Sequence, residues 1–414
     1  MLFIYRILIN LAYVASPLII LLRIIKKKEH LIRFKEKIGF FKKKKFNGEL
    51  IWFHGASVGE LQSVIPLLEK FEKNKKIKQI LITSNTLSSS KIINKLRLKK
   101  TIHQFFPIDT NFISKKFINY WKPSKAFFID SEIWPNTILQ LKKHKIPSIL
   151  INGRITKKTF KRWRFFSGFS KKIFSNFNLC LAASNQSLVF LNKLGAKNVK
   201  LIGNLKFSQS EKEIPKINRK LKNFIDKKTT WCASSTHQSE EIACGMAHLE
   251  LKKKFKNLLT IIIPRHIERS AQIKKDLEKL NLKVHIDESS QKMISNTDIY
   301  LVNSFGKTKI FFSNTKNVFL GGSLIKHGGQ NPLEAARLGC NILNGPFVHN
   351  FTEVYDFLEK NKISQKILSQ KGLVKKLYIL LRKKNKTNKI EKKLEIIGQN
   401  ILEKSYKEIN SNYL

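Results

Sequence analysis

The stretch Trp52-Phe53-His54-Gly55-Ala56-Ser57-Val58-Gly59-Glu60 hands a strand over to a helix. The apolar run 50–53 reads as a buried strand, Gly55 and Gly59 permit a tight turn, and 61–71 carries helical spacing. Glu60 is therefore expected at the mouth of an α/β sheet, outside the carboxyl end of a strand, where ligands of such folds bind. Two roles compete for it: a favourable charge in the first turn of a helix, or a working carboxylate.

Outward from that stretch, short β-like runs alternate with helical ones. Residues 50–54, 79–83, 104–106, 126–130, 148–152, 179–182 and 199–202 read as strands, most of them separated by helical pattern. This is the signature of βα units and a parallel sheet. The polar run 208–223 lacks an apolar face and reads as a linker. A second series follows at 230–233, 258–263, 283–285, 299–302, 318–320 and 341–343. No short-period repeat is present.

With 414 residues the chain exceeds one ordinary core, so two domains are expected. The formal net charge of +50 would suit nucleic acid or an anionic membrane surface. Most of the excess is Lys spread along the whole length, in company with abundant Ile, Asn and Phe, as A/T-rich coding would give. Zinc-finger spacing, an RNP-type aromatic block and a basic region with heptads are all missing, so a nucleic-acid partner is not expected. Cys180, Cys232, Cys244 and Cys340 form no C-x-x-C pair and read as reduced core thiols of a cytosolic compartment. The histidines show no zinc spacing, and no metal is expected.

Residues 7–22 are almost wholly apolar, broken by Asn10, Ser16 and Pro17, and are followed by Arg23 and Lys26-Lys27-Lys28. The segment lies at the short edge of a membrane span. Tyr13 spoils the best signal-peptidase site, near Ala15, which favours an uncleaved anchor over a signal peptide. The lysines behind it place the remainder of the chain on the cytoplasmic side. A monotopic hairpin or interfacial helix is the alternative, because Pro17 interrupts the run. The basic and aromatic run 157–166 suits either a solvated helix with a packed face or a lipid headgroup zone.

In the second half, Gly321-Gly322 after the strand 318–320 lets backbone approach a ligand. Asn331-Pro332-Leu333-Glu334 is a helix start, with an N-cap Asn, Pro at N1 and Glu at N3, and it offers N–H groups to an anion. Glu334 either closes a capping box or contacts a ligand. Arg265 and His266 follow the strand 258–263, where a guanidinium fork suits a phosphate or a base.

Six blocks resemble, in order and with compatible intervals, the 3-deoxy-D-manno-octulosonic acid (Kdo) transferases of glycosyltransferase family 30. They are the opening nine residues, Ser131-Glu132-Ile133-Trp134-Pro135-Asn136, Asn152-Gly153-Arg154-Ile155, Gly203-Asn204-Leu205-Lys206-Phe207, Pro264-Arg265-His266, and Gly328-Gly329-Gln330-Asn331-Pro332-Leu333-Glu334. The resemblance implies an α/β GT-B architecture: two Rossmann-like domains facing an interdomain cleft, plus an N-terminal membrane anchor. The expected division is 1–25 anchor, 26–207 acceptor-binding domain, 208–224 linker and 225–414 CMP-Kdo-binding domain with C-terminal helices. It implies inverting transfer of Kdo from CMP-Kdo to lipid IVA at the cytoplasmic face of the inner membrane, without a cofactor or catalytic metal, with membrane lipids as further partners. Glu60 would be the proton acceptor, and Glu132 and Lys206 the transition-state stabilisers. Arg265, His266, Asn331, Pro332, Leu333 and Glu334 would bind the donor.

One block departs from the family. Where it usually reads Asp-Ser/Thr-aromatic/Met-Gly-Glu-Leu, this chain has Asn303-Ser304-Phe305-Gly306-Lys307-Thr308. The backbone of Phe305 and Gly306 can still hold a nucleotide and Lys307 is expected to add a phosphate contact, while the family's side-chain roles at Asn303 and Lys307 do not carry over. Other readings are a UDP-sugar transferase or epimerase of the same fold, or a non-enzymatic basic protein of membranes or nucleic acid, for which Glu60 would be dispensable.

Overall fold

A computed structural model describes residues 1–43, 45–96, 98–209, 216–287, 296–383 and 388–413. The chain divides into two compact units, Met1–Gln209 with Ile397–Leu414, and Ser210–Ile396.

The first unit carries β1 (Glu49–His54), β2 (Ile77–Ser84), β3 (Thr101–Phe105), β4 (Lys125–Ile129), β5 (Ser148–Gly153), β6 (Leu179–Ala182) and β7 (Val199–Leu201). All pair in parallel, in the order β3-β2-β1-β4-β5-β6-β7. A parallel sheet is covered on both faces, so its strands are apolar on both. Trp52 packs on Phe117 (4.8 Å between ring centroids), while Phe53, on the opposite face, stacks on Phe127 (4.5 Å). The strand order reverses between β1 and β4, which opens a crevice at their carboxyl ends.

The second unit repeats the plan with β8 (Thr229–Thr236), β9 (Leu258–Pro264), β10 (Val284–Ile286), β11 (Ile299–Leu301), β12 (Asn317–Leu320), β13 (Asn341–Asn344) and β14 (Ser364–Lys366). The order is β10-β11-β9-β8-β12-β13-β14, again all parallel, with the reversal between β8 and β12. The edge strand β14, Ser-Gln-Lys, was not expected, because it has no apolar alternation to betray it. The four cysteines are free and buried.

Two expected boundaries need correction. Part of the linker 208–224 lies outside the described residues, and Arg219–Asp226 is a helix, whose first turn Asn218 caps by accepting from Lys220 N at 2.8 Å. The expected domain 225–414 also loses its end to the first unit. There Lys70 pairs with Glu403 (2.7 Å), Lys200 pairs with Glu408 (2.6 Å), and Tyr406 lies 5.3 Å from the Phe71 ring.

Helix α1 (Leu2–Ile25) runs unbroken through Pro17, so the expected interruption is absent. By length and composition it is able to cross a membrane. Near its start, Tyr5 Oη donates to Asp109 Oδ2 (2.7 Å), and Arg6 donates to Asn136 Oδ1 (3.0 Å) and Asn111 Oδ1 (3.2 Å). Near its end, Arg23 pairs with Glu29, which also holds Lys37, and Lys37 donates to the Asn85 carbonyl (3.0 Å). A helix of 24 residues is about 36 Å long, yet both its ends are tied to the same unit. It therefore lies along the first unit, beside the carboxyl ends of β2, β3 and β4, and turns Phe3, Leu8, Leu11, Val14 and Leu18 outward.

Candidate active site

Glu60 stands in the first turn of α2 (Val58–Lys73), which Ser57 caps. Its Oε2 accepts from Ala56 N (2.7 Å) and its Oε1 from Ser57 Oγ (2.8 Å). Glu60 thus meets the helix-start expectation, and the same carboxyl also faces other acids. Burial first, then the Glu132 charge, and more weakly Asp130, push its carboxyl up from 4.5 to about 7 against the Ser57 and Ala56 bonds.

Glu132 follows β4, across the strand-order reversal from β1. Its Oε2 lies 3.1 Å from His54 Nε2 and accepts from Trp134 Nε1 (2.9 Å). Burial would raise this carboxyl, but the hydrogen bond with His54 and the Trp134 donation outweigh it and hold it low. Lys206 Nζ is 4.0 Å from Asp130 Oδ2. The loop bearing Lys206 is fixed by Asn152 Oδ1, which accepts from Leu205 N (2.9 Å), and by the Asn204 side chain, which accepts from Lys206 N (2.9 Å). Asp130 and Asn152 both adopt positive φ, +61° and +55°, where the chain turns sharply out of β4 and within β5. Glu60, Glu132 and Lys206 thus come from three separate segments that follow β1, β4 and β7 at the carboxyl edge of one sheet. A neighbouring pair of carboxylates pushed in opposite directions is the arrangement that separates an ionised acid from a base working near neutral pH. Among the described residues no three His, Cys, Asp or Glu side chains gather as a metal cage.

In the second unit, Arg265 and His266 leave β9, and both are exposed. They lie beside a histidine cluster that sequence reasoning missed. The His237 ring lies 4.0 Å from His327 and 5.8 Å from His266, and its Nε2 is 3.4 Å from Gln330 Nε2. Burial, then His327, His266, Arg265 and Arg269, push His237 down to about 4. The guanidinium groups of Arg265 and Arg269 make the field at this ring positive.

Glu240 was also missed. Its carboxylate accepts from the backbone N–H groups of His237 (3.0 Å), Gly322 (2.7 Å), Ser323 (3.1 Å) and Leu324 (3.0 Å). A side-chain anion of the protein itself fills the nest that Gly321-Gly322 was expected to offer. A Cβ at Gly321 would come within 2.6 Å of the Ser235 carbonyl, so the close approach there is backbone to backbone.

The expected helix start at Asn331 is displaced. The helix is Leu333–Arg337, preceded by Pro332 at its cap position, and Asn331 Oδ1 accepts from Leu333 N (3.1 Å). Five residues sum to little dipole, which weakens the anion-site expectation there. Glu334 Oε2 accepts from Thr308 Oγ1 (3.3 Å), linking this helix to the loop of Phe305, Gly306 and Lys307. Phe305 is exposed, and Gly306 has φ +83°, which requires glycine. Lys307 Nζ lies 2.6 Å from Asp287, which also accepts from Tyr300 (2.7 Å). The expected phosphate contact from Lys307 is thus already spent on an internal carboxylate.

Two Rossmann-like parallel-sheet units, each with its polar groups at the reversal of strand order, define the GT-B fold class. Residues 32–209 match the family model described as 3-deoxy-D-manno-octulosonic-acid transferase (kdotransferase). The chain is 34% identical to a 3-deoxy-D-manno-octulosonic acid transferase of Rickettsia bellii, over 88% of this chain and 87% of that one. It is 30% identical to a probable mitochondrial 3-deoxy-D-manno-octulosonic acid transferase of Arabidopsis thaliana, over 92% and 88%. A UDP-GlcNAc 2-epimerase of Neisseria meningitidis shares the fold at 16% identity, with a TM-score of 0.58 over 88% of this chain and all of that one. The chain belongs to the 3-deoxy-D-manno-octulosonic acid transferase family, and it is a Kdo transferase.

Proposed function

We propose that this enzyme transfers Kdo from CMP-Kdo to lipid IVA by a single inverting displacement, with Glu60 accepting the proton of the attacking hydroxyl. The observation that carries this reading is the Glu60 carboxyl, raised to about 7 beside an ionised Glu132 at the crevice between β1 and β4. A base tuned near the working pH is the most effective one, and positioned general-base help is typically worth about 10²–10⁴ in rate. Lys206 and Glu132 stabilise the charges that develop as the leaving group departs. Arg265, His266, Phe305, Gly306 and the segment Asn331-Pro332-Leu333-Glu334 bind CMP-Kdo, with Glu334 toward ribose hydroxyls, as the family resemblance implies. The reaction needs no resident metal, because the cytidylate is already a fair leaving group.

We place the enzyme at the cytoplasmic face of the inner membrane, held by α1 lying in the plane of the interface. The bonds of Tyr5, Arg6 and Lys37 support that orientation, since they keep both ends of the helix on the first unit. An apolar helix held along the protein in this way buries its outward side at the boundary of headgroups and acyl chains.

Incubation of the purified protein with CMP-Kdo and lipid IVA, followed by mass spectrometry, tests the reading. The expected product is lipid IVA heavier by Kdo, with inhibition by CMP and not by UDP. Absence of transfer, or inhibition by UDP alone, overturns the choice of donor and acceptor.

A further inference from the structure

His54 ends β1, is fully buried, and stacks on Phe106 with ring centroids 3.9 Å apart. Nothing in the reaction as described uses it. Its surroundings dictate where its protons lie. A carboxylate only accepts, so the 3.1 Å contact with Glu132 Oε2 requires a proton on Nε2. On the other side, Nδ1 lies 3.0 Å from Thr83 Oγ1, which accepts the indole N–H of Trp52 at 2.9 Å. Thr83 has its own proton to give, and Nδ1 is a nearer acceptor than the Phe53 carbonyl at 3.4 Å. The donors then run one way, from Trp52 N–H to Thr83 O–H to His54, and from His54 Nε2–H to Glu132. In that tautomer the Trp134 indole N–H is committed to Glu132 as well.

We propose that His54 is a positioning residue for Kdo transfer, whose Nε2–H fixes Glu132 as an anion in one orientation so that the Glu132 charge sets the basicity of Glu60. The inference rests on Glu60 being the base. His54 itself touches no reacting atom and transfers no proton; each proton in the chain stays on its own donor. The titratable and charged groups around this centre are Glu60 on α2, Asp130 and Glu132 beyond β4, and Lys206 beyond β7. The remaining neighbours, Thr83, Phe106, Phe128 and Trp134, do not titrate. The shifts agree in sign: His54 lowers Glu132, and Glu132 raises Glu60.

The test is the pH profile of kcat for wild type, His54→Phe and His54→Gln. Phe keeps the stack on Phe106 and removes both ring nitrogens, so Glu132 loses a donor that favours its ionised form and repels charge on Glu60 less. The acidic limb should move to lower pH by about one unit, with kcat at its best pH reduced about tenfold and KM for CMP-Kdo unchanged. His54→Gln still presents an amide N–H to Glu132 and should keep the limb where wild type has it. Adding His54→Phe to Glu132→Gln should shift nothing further. If His54→Phe does not fold, His54→Asn takes its place, because its shorter amide reaches Thr83 and not Glu132. An unmoved limb in a folded His54→Phe or His54→Asn protein overturns the proposal, as does an equal shift in His54→Gln. Near wild-type turnover in Glu60→Gln overturns the base assignment instead, so the two failures are told apart.

Discussion

At Glu60 a helix cap and the proposed base are one side chain, and the net stability it contributes and the activity proposed for it respond oppositely to pH. The native carboxyl near 7 lies above its ordinary 4.5, so between those values the folded chain binds more protons than the unfolded one. Stability contributed through this group is therefore present at low pH and lost as pH rises through about 7. Activity runs the other way, because the base must be deprotonated, and kcat should fall below pH 7. Glu60→Gln cannot accept a proton and should lower turnover by roughly 10² or more. It should also gain melting temperature relative to wild type as pH is raised from 5 to 8. Calorimetry of both proteins across that range checks the sign, and a gap that widens toward pH 5 would refute the raised carboxyl. The Glu60 site was legible because strand, turn and helix are contiguous in sequence. His54 lay within the same quoted stretch, yet its partner Glu132 is 78 positions away, and only the pairing of β1 with β4 brings the two together.

At the scale of elements, the second unit supports its glycine loop with a carboxylate from another helix. Gly321-Gly322 signalled close approach in the sequence, but the group approached is Glu240, more than eighty positions earlier. Each Glu240 oxygen accepts two N–H groups: Oε2 those of His237 and Gly322, Oε1 those of Ser323 and Leu324. Glu240→Gln would turn an amide NH₂ toward two of those donors and leave them unsatisfied in a buried place, at a cost of about 1–3 kcal/mol each. The expected outcome is a lower melting temperature together with a raised KM for CMP-Kdo, since the loop and His237 lose a common support. Unchanged values of both would show that the nest holds its shape without the carboxylate. The helix start at Asn331 was misread by one position for a related reason. Cap chemistry is local and visible, whereas the length of the helix behind it is set by packing under β13.

For the whole molecule, two attractions to a membrane differ in their response to salt. The first is apolar: α1 presents Phe3, Leu8, Leu11, Val14 and Leu18, and Phe112 and Phe165 of the same unit are also exposed. The second is the net charge of +50, in which each basic residue close to anionic lipid contributes about 1 kcal/mol. At 1 M salt the screening length falls to about 3 Å, so the second attraction fades while burial of apolar surface persists. Full-length protein should therefore remain on anionic vesicles in 1 M salt, whereas a chain lacking residues 1–25 should bind at low salt and be released at high salt. A cysteine placed at Phe3, in a chain whose four native thiols are buried, separates the two orientations of α1. If the helix lies in the interface, an impermeant thiol reagent added to the face bearing the catalytic units labels it; if the helix spans, only reagent on the opposite face does. Labelling from the opposite face alone would break the Tyr5 and Arg6 contacts as drawn, and with them the in-plane placement of α1. Labelling from the catalytic face would leave Glu60 and Glu132 at the same edge of the sheet as the membrane-bound helix, as the proposed transfer to a lipid acceptor requires.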